Sequence, residues 1–201
     1  MPSQKLATAD EIRQVALAQF AQNGYEATSM REIAGGVGIK AASLYNHFGS
    51  KEAILWDLTC TALTSLTLAR DEALAKLPAK ASARERLSVF IRTHVRFHAE
   101  NSHQAMLVNS QMTALSGPHF HQAVELRDAY QSEMQIILRA GKRSGEFSYP
   151  DLDLTSYAIL QMGIAVSMWY RPEGRLRVGQ VCDVYAELAE RLVCAREPGS
   201  D

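Results

Sequence analysis

Apolar residues recur three and four positions apart from Ile12 to Val193, and no stretch sustains the apolar–polar alternation of a half-buried strand. This periodicity predicts an all-α chain of about nine helices. The punctuation agrees with it. Thr8-Ala9-Asp10-Glu11 and Ser29-Met30-Arg31-Glu32 are capping boxes, in which a hydroxyl and a carboxylate three residues apart satisfy orphan backbone N–H groups. Gly24 and Gly38 stand where the first two helices should stop. Leu44 and Phe48 belong to a third helix ended by Gly49, and Ser50 is placed to cap a fourth. That fourth helix should run from Lys51 to about Leu77, where Pro78 forbids continuation, a reach of about 40 Å. Further helices are expected over about 83–100, 103–115, 119–144, 152–170 and 177–194, with breaks at Ser116-Gly117-Pro118, Ser144-Gly145, Tyr149-Pro150 and Pro172-Glu173-Gly174.

A chain of 201 residues with 47% hydrophobic and 21% charged side chains can bury its own core and is neither disordered nor fibrous in composition. Cys60, Cys182 and Cys194 are odd in number and lack a C-x-x-C pair, which points to a reducing compartment and away from a structural zinc site. The residues from Met1 to Leu6 turn polar at Thr8–Glu11 before any apolar run, so no secretory leader is expected and the predicted location is the cytoplasm. The formal net charge of −1 does not by itself point to nucleic acid. Its distribution is more informative. Between Ile33 and Lys51 there is no acid, only Lys40, His47 and Lys51, so a locally positive surface is predicted there.

Residues 28–52 read as helix, tight turn, helix. Met30, Ile33, Val37, Ile39, Leu44 and Phe48 can bury together against Ile12 and Phe20, giving a compact three-helix unit. With Leu44 and Phe48 inward, about 100° per residue turns Ala42, Ser43 and Asn46 outward, flanked by Tyr45 and His47. Such a helix fits the major groove. There Asn46 would bond adenine N6 and N7, Ala42 meet a thymine methyl and Ser43 take either partner. Tyr45 and His47 would face the phosphate-lined walls, with Lys40 and Lys51 adding contacts. The same residues also suit a helical hairpin that only packs, so an all-α ligand-binding module that never meets DNA stays open as the alternative.

Ala16, Phe20, Gly24-Tyr25-Glu26-Ala27-Thr28-Ser29, Arg31-Glu32-Ile33-Ala34, Gly38, Leu44-Tyr45, His47-Phe48 and Lys51-Glu52, at these intervals, resemble the signature of the TetR family of bacterial transcriptional regulators. The resemblance implies a homodimeric, mostly repressing protein that binds double-stranded operator DNA and a small-molecule effector. It implies a helix-turn-helix domain over 1–52 and a helical ligand-binding and dimerisation domain over 53–201. Thr28, Tyr45, His47 and Lys51 then correspond to phosphate-contact positions, with Ser29 beside Thr28, and residues 40–46, Ala41 included, to the base readers. Three departures carry expectations of their own. Lys40 stands where the family commonly has a capping serine, so that cap should be missing. Gly35 and Gly36 each cost about 1 kcal/mol against alanine inside a helix, which predicts a marginal or mobile reading head. A near-neutral N-terminal region predicts weak non-specific DNA affinity.

From Leu154 to Tyr170 no residue is charged, and the apolar side chains surround the helix, which predicts burial on every side. A membrane span needs about twenty such residues. Thr155, Ser156, Gln161 and Ser167 interrupt this one, so no membrane partner is expected. A subunit interface on one face and a core on the other fits better. Tyr157, Ile164 and Met168 would meet Val181, Tyr185, Leu188 and Leu192 of the last helix in the four-helix seam of a homodimer. The middle helices carry Phe90, His94, Phe97, His98 and Met112, then Tyr130, Met134 and Met162, a Met-rich set suited to a bulky hydrophobic effector and equally to a core. His94 and His98 lie one turn apart, but without H-E-x-x-H or a nearby cysteine no metal is expected. The segment from Val166 to Gly174 resembles one in a subgroup of the family that answers to coenzyme A thioesters of fatty acids or sterol-ring fragments. Trp169 would then stack on adenine and Arg171 pair with phosphate; the same stretch also reads as a plain helix stop. No P-loop, G-x-G-x-x-G or G-x-S-x-G occurs, so neither an enzyme nor a cofactor is expected.

Overall fold

The computed structural model describes residues 8–194, in which nine α-helices and one 3-10 turn are the regular structure and no strand occurs. The expectation for Met1–Leu6 lies outside the described residues. The helices are α1 (Ala9–Asn23), α2 (Met30–Val37), α3 (Ala41–Tyr45), α4 (Lys51–Ala75), α5 (Ala83–Glu100), α6 (Ser102–Ser110), α7 (Gly117–Ser144), α8 (Leu152–Trp169) and α9 (Val178–Val193), with the 3-10 turn at Met112–Ala114. Two compact units share them. One takes residues up to Ala62 together with His103–Ala123; the other takes Leu63–Ser102 and the residues from Val124 on. The expected division after residue 52 falls inside the first unit. The start of α4 belongs there with α6, whose Gln104 side chain donates to the Leu58 carbonyl at 3.1 Å.

In the first unit both capping boxes form, Thr8 with Glu11 and Ser29 with Glu32. Gly38 closes α2 in the left-handed region, φ 81° and ψ 28°, which a Cβ would strain. Its N–H donates to the Ala34 and Gly35 carbonyls, and the Ile39 N–H reaches Ala34 O at 2.9 Å. Ile12, Ala16, Phe20, Ile33, Ala34 and Leu44 are buried in this unit.

Two expectations change here. The third helix ends at Tyr45, so Asn46 and His47 lie in the turn after it and not on its surface. Lys40 at its N-cap makes no side-chain cap bond and its first turn has no acid, so a short helix has little to extend it. The turn is nonetheless carried on, because the Phe48 N–H donates to Leu44 O at 2.9 Å and Phe48 is buried. Gly36 is also not simply a weak point. A Cβ there would stand 2.6 Å from Gln19 Nε2 and 2.7 Å from Val15 Cγ1, so the missing side chain is what lets α1 and α2 close on each other.

In the second unit α5 packs against α8 and α9 around Leu87, Phe90, Ile91, Met134, Leu138 and Ile159. His94 sits in this core with both ring nitrogens engaged. The carbonyl of Leu160 can only accept, so Nε2–H donates to it at 3.1 Å and Nδ1 accepts from the Tyr130 hydroxyl at 3.1 Å. Burial pushes the imidazole well below its ordinary pKa, and His98 adds to this. Among the described residues no helix is long and apolar enough to cross a membrane.

Gly163 of α8 faces that imidazole, and a Cβ there would stand 2.3 Å from His94 Cδ2. Replacing it, Gly163→Ala, should therefore destabilise despite alanine's better helix propensity, because a doubly hydrogen-bonded ring must move. The expected net loss is about 1–3 kcal/mol, read as a lower thermal midpoint. An unchanged or raised midpoint would show that the ring can yield.

Candidate functional site

The exposed face after Gly38 consists of Lys40, Ala42, Tyr45, Asn46 and His47, with Ala41 and Ser43 half-buried at its edge. Tyr45 is 53% exposed although it adjoins the fully buried Leu44. No acid lies on this stretch. Ser29, also exposed, uses its hydroxyl to accept from the Glu32 N–H at 3.3 Å.

Two of the predicted phosphate contacts have other employment. Thr28 is 1% exposed, and its hydroxyl donates to the Gly24 carbonyl at 2.8 Å, so the side chain ties the α1–α2 connection together. Lys51 donates to the carbonyls of Tyr25 and Glu26 at 2.7 and 3.1 Å, with its ammonium 4.3 Å from the centre of the Tyr25 ring. These contacts fix the start of α4 against the loop before α2. Glu52, next along, is held just as firmly. Its carboxylate accepts from His119 Nδ1 at 2.7 Å, from the Ser116 N–H at 3.0 Å and from the Ser116 hydroxyl at 3.1 Å. His119 in turn stacks on Trp56, centroids 4.9 Å apart at 7°. His119 is thus a seat for α4, a role its position beside Pro118 did not reveal.

On α8 and α9 the expected seam divides. Leu154, Tyr157, Met168, Val184, Leu188 and Leu192 are exposed large apolar side chains, and Ile164 and Tyr185 are half-buried. Met168 is 66% and Leu154 70% exposed. Burial on every side of α8 is therefore not reached within one chain. Val181 shares the side of α9 that carries Leu188 and Leu192 but is buried within the chain, so it is not exposed for a seam. Leu154 and Val184 were missed, although both lie on the three- and four-residue spacing of the exposed set.

The predicted effector residues fall in three places. Phe90, His94, His98, Tyr130 and Met134 are buried together, with Phe97 packed against them and Met162 half-buried on α8. The Phe90 and Tyr130 rings are 5.1 Å apart and His94 and His98 4.3 Å apart, so these side chains pack on one another. Met112 belongs to the first unit, because the chain leaves the second at Ser102 and returns only at Val124. Trp169 and Arg171 are exposed, while Tyr170 between them is buried. The end of α8 explains this split, since the helix stops at Trp169 and turns Tyr170 inward; Trp169 instead stacks on Tyr185, centroids 6.4 Å apart. One buried cation was not foreseen, Arg70, and a single arginine gives no periodic signal.

Residues 12–58 match the family model for bacterial regulatory proteins of the tetR family, and residues 80–193 match that for the tetracyclin repressor-like C-terminal domain. The HTH-type transcriptional repressor KstR2 of Mycobacterium tuberculosis (strain ATCC 25618 / H37Rv) is 36% identical over 181 residues, covering 87% of this chain and 87% of its own. A solved regulatory protein of the tetR family from Rhodococcus RHA1 superposes with a TM-score of 0.87 at 28% identity, over 97% of this chain and 100% of that one. The solved ketosteroid transcriptional regulator KstR2 of Mycobacterium tuberculosis gives 0.83 at 27% identity, over 93% and 95%.

Burial alone would raise the Glu52 pKa, but the bonds from His119 and from the Ser116 N–H and hydroxyl outweigh it and hold the carboxyl below its ordinary range. A folded-state pKa lowered in this way stabilises fully above the unfolded value of about 4.3, and the effect fades as pH falls through the folded value. Glu52→Gln should therefore lower the thermal midpoint at pH 7, and the gap to the parent should close on acidification below pH 4. A gap that stays constant across that range would mean that the carboxylate's charge contributes nothing.

Proposed function

Because this chain belongs to the TetR family of bacterial transcriptional regulators, we propose that it is a homodimeric repressor that sits on a palindromic operator in the cytoplasm and leaves it when a hydrophobic effector binds. The helix-turn-helix domain is assigned to 1–52 and the effector and pairing domain to 53–201. One observation carries the reading: after Gly38 the chain buries Leu44 and Phe48 and exposes Ala42, Tyr45, Asn46 and His47 beside Lys40 on a face without acids. That is a surface which a negatively charged major groove can accept. Asn46 and Ala42 are the base readers, and Tyr45, His47 and Lys40 hold the phosphates. Thr28 and Lys51 act indirectly, by fixing the loop and the start of α4 behind that face.

Pairing is assigned to the apolar set of α8 and α9 in which Tyr157, Met168, Leu188 and Leu192 are exposed and Ile164 and Tyr185 half-buried. Two copies joined there can present their recognition helices to successive major grooves, about 34–36 Å apart. An effector that prefers another spacing lowers operator affinity by population shift. The similarity to a repressor and to a ketosteroid transcriptional regulator supports a ring-bearing hydrophobic effector. The exposed Trp169 and Arg171 suit the adenine and phosphates of a coenzyme A thioester.

Tyr45→Ala with Asn46→Ala should cut operator affinity at least tenfold, since one bidentate base contact is worth about 1–3 kcal/mol, while effector-induced thermal stabilisation survives. Equal operator retention by the double variant would remove the reading face from this account, and loss of both responses would show a folding defect. Leu188→Lys with Leu192→Lys should give a monomer by sedimentation and abolish operator binding, although neither residue lies in the first unit. A dimer that persists would assign the pairing elsewhere.

A further inference from the structure

The first two turns of α4 are held by two groups of residues, and only one of them belongs to the helix-turn-helix. In that group Lys51 donates to the carbonyls of Tyr25 and Glu26, and Asp57 accepts from both Nε and Nη2 of Arg13 on α1. Arg13 Nη1 also donates to Asp10 at 2.6 Å, so one guanidinium ties α4 to the start of α1. The other group surrounds the start of α7. Glu52 and Trp56 of α4 meet Ser116 and His119, while the Leu58 carbonyl accepts from Gln104 of α6. All of these contacts lie inside the first unit.

The N-terminus of a helix carries partial positive charge and N–H groups without partners in the helix. α7 has no acid in its own first turn, and Glu52 of α4 supplies one. Three donors converge on its Oε1: the Ser116 N–H at 3.0 Å, the Ser116 hydroxyl at 3.1 Å and His119 Nδ1 at 2.7 Å. The His119 ring also lies flat on Trp56, so the imidazole is fixed by a bond at its edge and a stack on its face. Glu52 and Trp56 are four residues apart and share one side of α4. Two anchors on one side fix the rotation of the helix about its axis, and with it the directions of Lys51 and Asp57.

We propose that His119 is a positioning residue for operator recognition: with Ser116 it fixes the first turns of α4, to which α1 and the loop before α2 are bound through Asp57 and Lys51. This rests on the reading that the face after Gly38 binds DNA, and it extends the recognition machinery beyond residue 52 to the start of α7. Base readout requires exact bidentate geometry, whereas non-specific binding requires only neutralised phosphates. A head that is no longer held in place therefore loses sequence preference and keeps its charge.

The test is retardation of two duplexes by the full chain, one selected by the parent from a random pool and one scrambled, well below every variant's thermal midpoint. His119→Phe keeps a ring on Trp56 and removes the bond to Glu52. It should weaken binding to the selected duplex about fivefold or more and leave binding to the scrambled duplex unchanged. His119→Gln keeps a donor for Glu52 and should retain most of the affinity. Glu52→Ala removes the bond from α4's side and should lose at least as much as His119→Phe, which also serves if His119→Phe does not fold. Adding His119→Phe to Glu52→Ala should cost nothing further. Parental selectivity in a folded His119→Phe or Glu52→Ala overturns the assignment, and so does equal weakening on both duplexes, the mark of a general structural role. Equal losses in His119→Phe and His119→Gln overturn it too. A parent that selects no sequence removes the DNA-binding reading and this one together, whereas a selective parent with an unaffected His119→Phe counts against the positioning role alone.

Discussion

Leu44 determines which way the surface after Gly38 faces. α3 has five residues, no side-chain cap and no acid in its first turn, and a helix that short does not hold in water on its own. What holds it is the complete burial of Leu44, worth about 1.5–3 kcal/mol for a side chain of that size, helped by Phe48 through the Leu44 carbonyl. Gly38 brings the chain to that position in a conformation that other residues adopt only with strain. Gly36 lets α1 and α2 close enough to make the core that Leu44 enters. Thr28, Lys51 and Glu52, each bonded within the same unit, then brace the loop and the start of α4. The exposed Tyr45 and Asn46 are a consequence of these inward commitments.

The second unit is governed by what its core leaves unfinished. One face of α8 and α9 is closed on α5, with His94 fitted against Gly163, and the other presents leucines, a tyrosine and a methionine to solvent. Water disfavours an apolar strip at helical spacing, which is why a second copy is its natural partner. Inside, Arg70 is paired with the half-exposed Asp71 and keeps one N–H without a partner among the described residues. A second copy on that strip would make pairing part of the folded unit's own energetics. That is the kind of coupling a regulator needs if binding at one place is to alter it at another.

The sequence already announced the parts that local rules control. Both capping boxes, the stop at Gly38 and eight of the nine helices are visible in residue spacing, because hydroxyl, carboxylate and glycine act within one turn of where they stand. The short α3 departs from the expectation since the apolar pair Leu44 and Phe48 is satisfied equally by a helix and by a helix followed by a turn. Val181 and Leu188 are both apolar and lie seven residues apart on one side of α9, and only packing decides which meets the chain's own core. The link between Glu52 and His119 joins residues far apart in sequence, and Arg70 carries no pattern at all. Single side chains whose role depends on a distant partner are invisible to periodicity.

The most direct measurement is hydroxyl-radical footprinting of the protein on duplexes selected from a random pool. The account predicts a recovered palindrome with two protected half-sites whose centres lie one helical turn, about 34–36 Å, or a whole multiple of it apart. Recovery of no sequence above background, or a single asymmetric protected patch, would contradict the claim that two copies of the face after Gly38 read DNA together.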